Sequence, residues 1–257
     1  MIDVQTAVER WSLTLGEPYE QGAAGFTTRA TLADGTPVVL KIVHPHRESE
    51  HEADALAAWD GNGAIRLLAR DESGYELLLE RCEPGTPLST LDENAALDVV
   101  IGLLPRLWIS AGEPFHTLAD EAAWWAEYLP REWRGERRLL DAALDAIATL
   151  APTQGEHVLL HQDLHFDNVL AAKREPWLVI DPKPLLGERE FAVAPIVRSF
   201  ELGHSKRHVL HRFDRLTAEL GLDRERARGW AIAQTVAWTS DSSFGRRHVE
   251  TATWLLE

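Results

Sequence analysis

The spacing of apolar and polar residues changes along the chain. In the first third, short apolar or β-branched runs predict four strands, over residues 29–32, 37–43, 65–69 and 75–79. Asp34-Gly35 between the first two runs predicts a hairpin. From Asp92 onward a helical period dominates, as in Leu140, Ala143, Leu144, Ile147 and Leu150. The pattern therefore predicts a β-rich part followed by a mainly helical part.

Two helices are predicted within the β-rich part. Asp3 can cap the first, in which apolar residues share one face until a turn over residues 15–18. The second is predicted over residues 48–59, between the second and third strands. Lys41 closes the strand that precedes this second helix.

Three polar residues near the middle of the chain have a spacing that suits phosphoryl transfer. Asp163 lies in a predicted loop, where a carboxylate can orient an attacking hydroxyl and accept its proton. Asn168 follows five residues later. Asp181 directly follows the apolar run 176–180, which is predicted to be a strand. These two residues offer the hard oxygen ligands that Mg²⁺ prefers. Each residue alone could instead cap a helix or close a turn, but the joint spacing favours catalysis.

Two groups of motifs resemble a known family. HQDLHFDN at 161–168 with IDPKPLLGE at 180–188 resembles the catalytic loop and metal-binding segment of the aminoglycoside phosphotransferase superfamily. WDGNGAIRLL at 59–68 and LLLER at 77–81 are similar to its streptomycin 6-kinase and hydroxyurea phosphotransferase branch. The resemblance covers about residues 20–245.

The resemblance implies an α+β, bilobal protein-kinase-like fold. We expect an N-terminal antiparallel β-sheet lobe with one key helix, and a mainly α-helical C-terminal lobe that holds the catalytic loop and the acceptor site. The expected lobes are residues 1–82 and 83–257, because Pro and Gly follow residue 82 as at a hinge.

The same resemblance assigns nucleotide-binding residues. Lys41 is similar to the strand lysine that reaches the α- and β-phosphates, with Glu52 as its partner and Glu48 as the rival. The loop from Gly22 to Gly25 can approach phosphates through its backbone amides, although turns of this composition are common.

The hinge and the catalytic loop carry further expectations. Glu80 and Cys82 are expected to hold the adenine through main-chain groups, as hinge residues do in kinase-like folds. His161 and His165 are expected to brace the catalytic loop by hydrogen bonds. Gln162 stands where many relatives have Gly, which changes the flexibility of the loop but no catalytic group.

Acids and aromatic residues of the helical lobe are the candidates for acceptor binding. An acid can pair with a guanidinium, and a Trp face can stack on a sugar or a cation. The candidates are Glu188, Asp241, Trp238, Glu121 and Trp124. Each can equally be a surface acid or a core aromatic, and Trp124 in particular resembles part of a helix-packing face.

Composition narrows the classes of partner. The formal net charge of −15, from 26 basic and 41 acidic residues, disfavours nucleic acid and is compatible with a cationic small molecule, or with solubility alone. One cysteine excludes an internal disulfide and favours the cytoplasm. No run of about 18 apolar residues occurs, so we expect no membrane partner. We expect a monomer or a weak dimer.

The sequence thus predicts an enzyme that uses ATP (or GTP) and Mg²⁺ to phosphorylate a small, cationic acceptor. A streptomycin-like aminoglycoside is the preferred acceptor, and hydroxyurea or another small metabolite is the alternative. Asp-Pro-Lys at 181–183 replaces the Asp-Phe-Gly of protein kinases and no Ala-Pro-Glu segment follows, which disfavours a protein substrate. A nucleotide-binding pseudoenzyme is disfavoured because all five expected catalytic groups are present.

Overall fold

The computed structural model describes residues 4–19, 25–239 and 243–257. The chain divides into two compact units: Met1–Thr86 with Leu170–Lys183, and Pro87–Val169 with Pro184–Glu257. The division into 1–82 and 83–257 stays a prediction. The compact units differ from it because the segment that carries Asp181 groups with the first unit.

The helices and strands of the described residues are numbered in chain order. The helices are α1 (Val4–Trp11), α2 (Glu52–Trp59), α3 (Glu93–Leu107), α4 (Leu118–Glu132), α5 (Arg137–Leu150), α6 (Ala194–Arg198), α7 (Lys206–Glu219), α8 (Arg224–Ala237) and α9 (Ser243–Leu256). The strands are β1 (Thr14–Pro18), β2 (Gly25–Thr31), β3 (Pro37–Val43), β4 (Leu67–Arg70), β5 (Glu76–Glu80), β6 (Val158–Leu160), β7 (Val169–Ala171), β8 (Trp177–Val179) and β9 (Leu185–Gly187). Among these helices, none is both long and apolar enough to cross a membrane.

The first unit is built on an antiparallel sheet with the strand order β1-β2-β3-β5-β4. The hairpin predicted around Asp34-Gly35 is confirmed by the pairing of β2 with β3. Alternation along β3 buries Val38, Leu40 and Ile42 in one core cluster, against which α1 also packs. Lys41 projects from the other face of the sheet, because successive strand residues point to opposite sides.

The turn predicted over residues 15–18 is wrong. This segment is part of the edge strand β1, which pairs with β2. All five of its residues are exposed, so no apolar alternation marks the strand in the sequence. Pro18 is tolerated because an edge strand does not need every amide for the sheet. The predicted helix over 48–59 is shorter than expected, since a 3-10 turn at Arg47–Ser49 precedes α2.

The second unit is mainly helical, as predicted. The helical period predicted from Leu140 to Leu150 is confirmed as α5, which buries Leu140, Ala143, Ile147 and Leu150. α5 and α9 both pack against α8. The short strands β6 and β9 pair with each other, and the segment 161–168 follows β6 directly. The core of this unit therefore fixes the start of the predicted catalytic loop.

Candidate active site

The structure brings together three of the predicted residues in the first unit. Lys41 Nζ lies 2.6 and 2.7 Å from the two carboxylate oxygens of Glu52, and 2.5 Å from Oδ1 of Asp181. Glu52 opens α2 on the face of the sheet to which Lys41 projects. The rival acid, Glu48, instead lies 3.6 Å from Lys183 Nζ. The site thus holds one ammonium group between two carboxylates.

The surroundings keep Lys41 charged. Burial disfavours the ammonium form and by itself lowers the pKa of Lys41, but the charges of Glu52 and Asp181 and their hydrogen bonds outweigh it, so the pKa is raised. The exposed fractions of the side chains are 13% for Lys41, 3% for Glu52 and 48% for Asp181. The cluster is therefore open toward solvent on the side of Asp181.

Asp181 itself has a left-handed backbone conformation, which directs its carboxylate toward Lys41. Strand β8 is tied to the segment before β4, because the amide of Val179 donates to the carbonyl of Gly63 and the amide of Ile65 donates back. Two residues after β8, Asp181 has φ +56°, a conformation that Asp tolerates better than most residues. This turn sets the direction of the carboxylate.

The motif WDGNGAIRLL at 59–68 forms a loop whose carbonyls bind Arg174. The guanidinium of Arg174 donates to the carbonyls of Gly61 and Ala64 at 2.8 and 2.9 Å. It also forms a bidentate ion pair with the carboxylate of Glu80, with hydrogen bonds of 2.8 and 2.9 Å. Gly61 and Gly63 have φ of +78° and +81°, which favours glycine at both positions. The motif therefore shapes a loop around the arginine.

The predicted hinge residues are already engaged within the first unit. The amide of Glu80 donates to the carbonyl of Arg66 at 2.9 Å, and its carboxylate binds Arg174. Cys82 is buried, and burial raises the pKa of its thiol to about 12. An adenine role for these two residues stays a prediction.

Of the two predicted glycines, Gly25 lies within the described residues, and its role toward phosphates stays a prediction. Gly25 begins β2 and pairs with Val43 of β3. A Cβ added there would lie 2.2 Å from the carbonyl oxygen of Ile42, so close strand approach alone requires glycine. Gly22 lies outside the described residues, as does Asp241.

In the second unit, hydrogen bonds hold the loop around Asp163. Its amide donates to the carbonyl of His161 at 2.8 Å and lies 3.3 Å from Nδ1 of the same residue. Asn168 Nδ2 donates to the carbonyl of Asp163 at 2.9 Å. Gln162 has φ +62°, and the buried Gln234 donates to its carbonyl at 2.8 Å. The predicted bracing of the loop by His161 is confirmed.

The bracing predicted for His165 is confirmed at its main chain, because the amide of His165 donates to the carbonyl of Asp163 at 3.0 Å. Its Nδ1 lies 3.1 Å from a carboxylate oxygen of Glu201, which also accepts a hydrogen bond from Ser199. Burial opposes the charge on His165, but Glu201 and the nearby Asp163 outweigh it and raise its pKa. Burial likewise opposes the charge on Glu201, yet the His165 and Ser199 contacts lower its pKa to about 2. Both shifts favour the charged forms of the pair.

Arg198 contacts Asp163 and is not among the residues predicted from the sequence. Its Nη2 lies 3.2 Å from Oδ1 of Asp163, and its Cζ lies 4.3 Å from the ring centroid of Trp238. Arg198 ends α6 after a buried apolar run, Phe191–Val197. A cation that ends such a run needs a partner for its charge, and this is the signal that identifies it in the sequence.

Glu188 lies in the interior of the second unit and is only 2% exposed. Its oxygens accept hydrogen bonds from Arg226, at 2.8 Å for the shortest, from the indole of Trp230 and from the amide of Gly155 at 3.2 Å. These donors explain why a buried carboxylate is tolerated here. The acceptor role stays a prediction that this placement does not support.

The other acceptor candidates lie in different environments. Glu121 is buried in α4, at 6% exposure. Trp124 is 45% exposed and stacks on Tyr128 with ring centroids 5.2 Å apart. Trp238 contacts Arg198, so of the candidates within the described residues it is the one tied to Asp163 through a shared neighbour.

A cavity of about 300 Å³ lies at the ends of α4, α8 and the start of α9. It combines aromatic, acidic and basic side chains, and its lining includes Tyr128, Glu132, Trp133, Arg134, Thr239 and Arg246. Ala237 and Thr239, which flank Trp238 in the sequence, both line the cavity. The lining of the cavity thus includes both sequence neighbours of Trp238, the residue that contacts Arg198.

Comparison with solved structures shows the fold. Choline kinase LicA from Streptococcus pneumoniae matches with a TM-score of 0.71 and 14% identity, over 98% of each chain. LicA in complex with AMP also matches, with a TM-score of 0.67. These matches confirm the predicted α+β, protein-kinase-like fold.

Comparison with curated proteins shows the family. Hydroxyurea phosphotransferase of Kitasatospora aureofaciens is 44% identical over 239 residues, which is 89% of this chain and 69% of that protein. Streptomycin 6-kinase of Streptomyces glaucescens is 38% identical over 250 residues, 91% of this chain and 81% of that protein. The family described as "Aminoglycoside/hydroxyurea antibiotic resistance kinase" matches residues 10–243. The chain therefore belongs to this family of small-molecule phosphotransferases, which act on hydroxyl groups.

Proposed function

We propose that this protein transfers the γ-phosphoryl group of ATP or GTP, with Mg²⁺, to a hydroxyl of a streptomycin-like aminoglycoside. The observation that carries the proposal is the ammonium of Lys41 held within 2.7 Å of both Glu52 and Asp181. A fixed cation beside an exposed carboxylate suits the recognition of a nucleotide that arrives with a divalent metal.

Lys41 is assigned to the α- and β-phosphates. Its raised pKa keeps the positive charge at neutral pH, and Glu52 holds the side chain in place. The chain's relation to kinases, one of which is known in complex with AMP, supports a nucleotide ligand. Glu52 is a positioning residue in this proposal, because it acts through Lys41.

The donor types of Asn168 and Asp181 fit Mg²⁺. Asp181 is 48% exposed, so a hydrated cation can reach its carboxylate. Asn168 donates through Nδ2 to the carbonyl of Asp163, and the ligand atom that it offers to a metal is its amide oxygen. Bound Mg²⁺ would neutralise the charge on the phosphate oxygens.

Asp163 is assigned to the acceptor hydroxyl. Its carboxylate orients the hydroxyl and takes its proton as the new O–P bond forms and the bond from phosphorus to the nucleoside diphosphate breaks. Hydrogen bonds to its amide and its carbonyl fix the backbone at this position. The nucleoside diphosphate leaves as the second product.

The cavity beside Trp238 is the proposed acceptor site. Tyr128 and Trp133 can stack on sugar rings, and Glu132 can pair with a guanidinium or an amine. The net charge of −15 supports attraction of a cation. Hydroxyurea is the second candidate, because the relative with that activity is 44% identical to this chain.

The test is a coupled assay of nucleoside diphosphate release with Mg-ATP or Mg-GTP. Streptomycin, other aminoglycosides, hydroxyurea and small amino-alcohols serve as acceptors, and mass spectrometry identifies the products. We expect a phosphate-sized mass gain on streptomycin, absent for the Asp163→Asn variant. Turnover of hydroxyurea alone would replace the proposal with the second candidate. Turnover of none of these acceptors would overturn both.

We also propose that the protein works in the cytoplasm as a monomer or weak dimer. Its single cysteine, Cys82, is a free thiol, which suits a reducing compartment. Light scattering across a concentration series tests the oligomeric state. A stable higher oligomer at the lowest concentration would contradict this part of the proposal.

A further inference from the structure

The segment that follows α6 makes two contacts with the loop around Asp163. Arg198 donates to Oδ1 of Asp163 at 3.2 Å, and a carboxylate oxygen of Glu201 lies at ion-pair distance, 3.1 Å, from Nδ1 of His165. The two contacted residues lie on either side of Leu164. The segment therefore contacts the loop at Asp163, the residue assigned to the acceptor hydroxyl, and two residues after it. The proposed function uses neither Arg198 nor Glu201.

Arg212 anchors this segment from α7. Its side chain is fully buried, and its two Nη atoms donate to the carbonyls of Ser199 and Gly203, which bracket Glu201. Its Nε lies 2.8 Å from a carboxylate oxygen of Glu93 on α3. A buried guanidinium is tolerated only with such partners, so the contacts tie the segment to two helices.

Trp238 supports Arg198 from another side. The guanidinium carbon of Arg198 lies 4.3 Å from the centroid of the indole ring, within the range of a cation–π contact. Arg198 is therefore held by both a carboxylate and an aromatic face, and its side chain is 10% exposed. These contacts restrict the rotamers that the guanidinium can adopt.

We propose that the segment Arg198–Gly203, anchored by Arg212, positions the carboxylate of Asp163 for the transfer step. Arg198 is the positioning residue, since it acts through Asp163. The inference rests on the proposed function, which assigns Asp163 to the acceptor hydroxyl. Misplacing a reacting group affects turnover more than nucleotide binding, so loss of Arg198 lowers kcat and leaves the KM for the nucleotide nearly unchanged.

The first test compares Arg198→Gln with Arg198→Lys. The Gln variant removes the charge, and we expect kcat to fall about 10- to 100-fold with the KM for ATP within about twofold. The Lys variant keeps a cation near Asp163, and we expect it to recover part of kcat. A purely structural role would lower the melting temperature of both variants without this split between kcat and KM.

The second test uses a matched pair of arginines on α7. Arg215 also reaches α3, with Nη2 2.7 Å from Asp98. Among the described residues, its polar contacts are with α3 and with Glu219, not with Arg198–Gly203. We expect Arg212→Gln to lower kcat at a temperature where it is folded, and Arg215→Gln to leave kcat unchanged. If Arg212→Gln does not fold, Glu201→Ala replaces it, because this change removes the contact with His165.

The outcomes separate the two proposals. If Asp163→Asn loses turnover while Arg198→Gln and Glu201→Ala keep normal kcat, the positioning role is overturned and the proposed function stands. If Asp163→Asn keeps normal turnover, the proposed function itself fails. Equal loss of kcat in the Arg212 and Arg215 variants would also overturn the role of the anchored segment.

Discussion

Lys41 and Asp181 form an ion pair at 2.5 Å although 140 residues separate them in the sequence. The contact arises because residues 170–183 belong to the same compact unit as the five-stranded sheet. Lys41 thus contacts one acid that is nearly buried, Glu52, and one that is half-exposed, Asp181. The buried acid can hold the lysine while the exposed acid remains accessible to a ligand.

Lys41→Met is expected to weaken both activity and folding. It removes the proposed phosphate contact and leaves the carboxylate of Glu52 buried without its partner, a loss on the order of 3 kcal/mol in the free energy of unfolding. The double variant Lys41→Met, Glu52→Gln is expected to recover part of the stability but no activity. Chemical denaturation and the coupled assay measure the two effects. A double variant no more stable than Lys41→Met would contradict the assignment of the cost to Glu52.

Asp163→Ala is expected to lower kcat roughly 100- to 10,000-fold, because a positioned base contributes about that factor. Asp181→Ala is expected to lower turnover as well, through loss of the proposed metal ligand. The variants differ in one respect: raising the Mg²⁺ concentration is expected to restore part of the activity of Asp181→Ala only. Near-normal turnover of either variant would mean that its role is misassigned. Circular dichroism checks that both remain folded.

The sequence predicts correctly those elements that are specified by residues close to one another in the chain. The hairpin, α5 and the loop with Asp163 follow from spacing and period, because each is specified by neighbouring residues. Strand β1 was missed because its exposed side chains show no alternation. Its place in the sheet depends on pairing with β2, which is a tertiary effect.

The sequence also does not predict polar contacts between residues that are far apart in the chain. In the sequence, Glu188 is a candidate acceptor contact or a surface acid, yet Arg226 and Trp230, some forty residues later, enclose it. Arg198 also has partners that are distant in sequence, since only the fold brings it to Asp163 and Trp238. Periodicity reports which residues are buried, but it does not report which polar residues pair inside the core.

His248 is expected to make the protein less stable in mild acid. Burial, and next the charge of Arg198, lower the pKa of this histidine to about 4 from an ordinary value of 6.5. Between these values the unfolded chain binds a proton that the folded chain does not, so stability falls as the pH drops from 6.5 to 4. The shift corresponds to a loss of at most about 3 kcal/mol.

Denaturation at a series of pH values tests this expectation. His248→Gln is expected to flatten the dependence between pH 6.5 and pH 4, because it removes the group with the lowered pKa. His157→Gln, at an exposed position in the same unit, is the control and should keep the dependence of the original protein. An unchanged slope in His248→Gln would show that other groups cause the acid sensitivity.

Two glycines are expected to respond to alanine with opposite signs. At Gly25 the new Cβ would lie 2.2 Å from the carbonyl oxygen of Ile42, so strands β2 and β3 must separate, at a cost of about 1–3 kcal/mol. Gly102, inside α3, has no atom within 4 Å of the new Cβ, and alanine there should stabilise by about 0.5–1 kcal/mol. Because β3 carries Lys41, Gly25→Ala should also raise the KM for ATP, whereas Gly102→Ala should not. Thermal denaturation and steady-state kinetics measure the two effects, and a stable Gly25→Ala variant with normal KM would show that the β2–β3 pairing does not support the lysine.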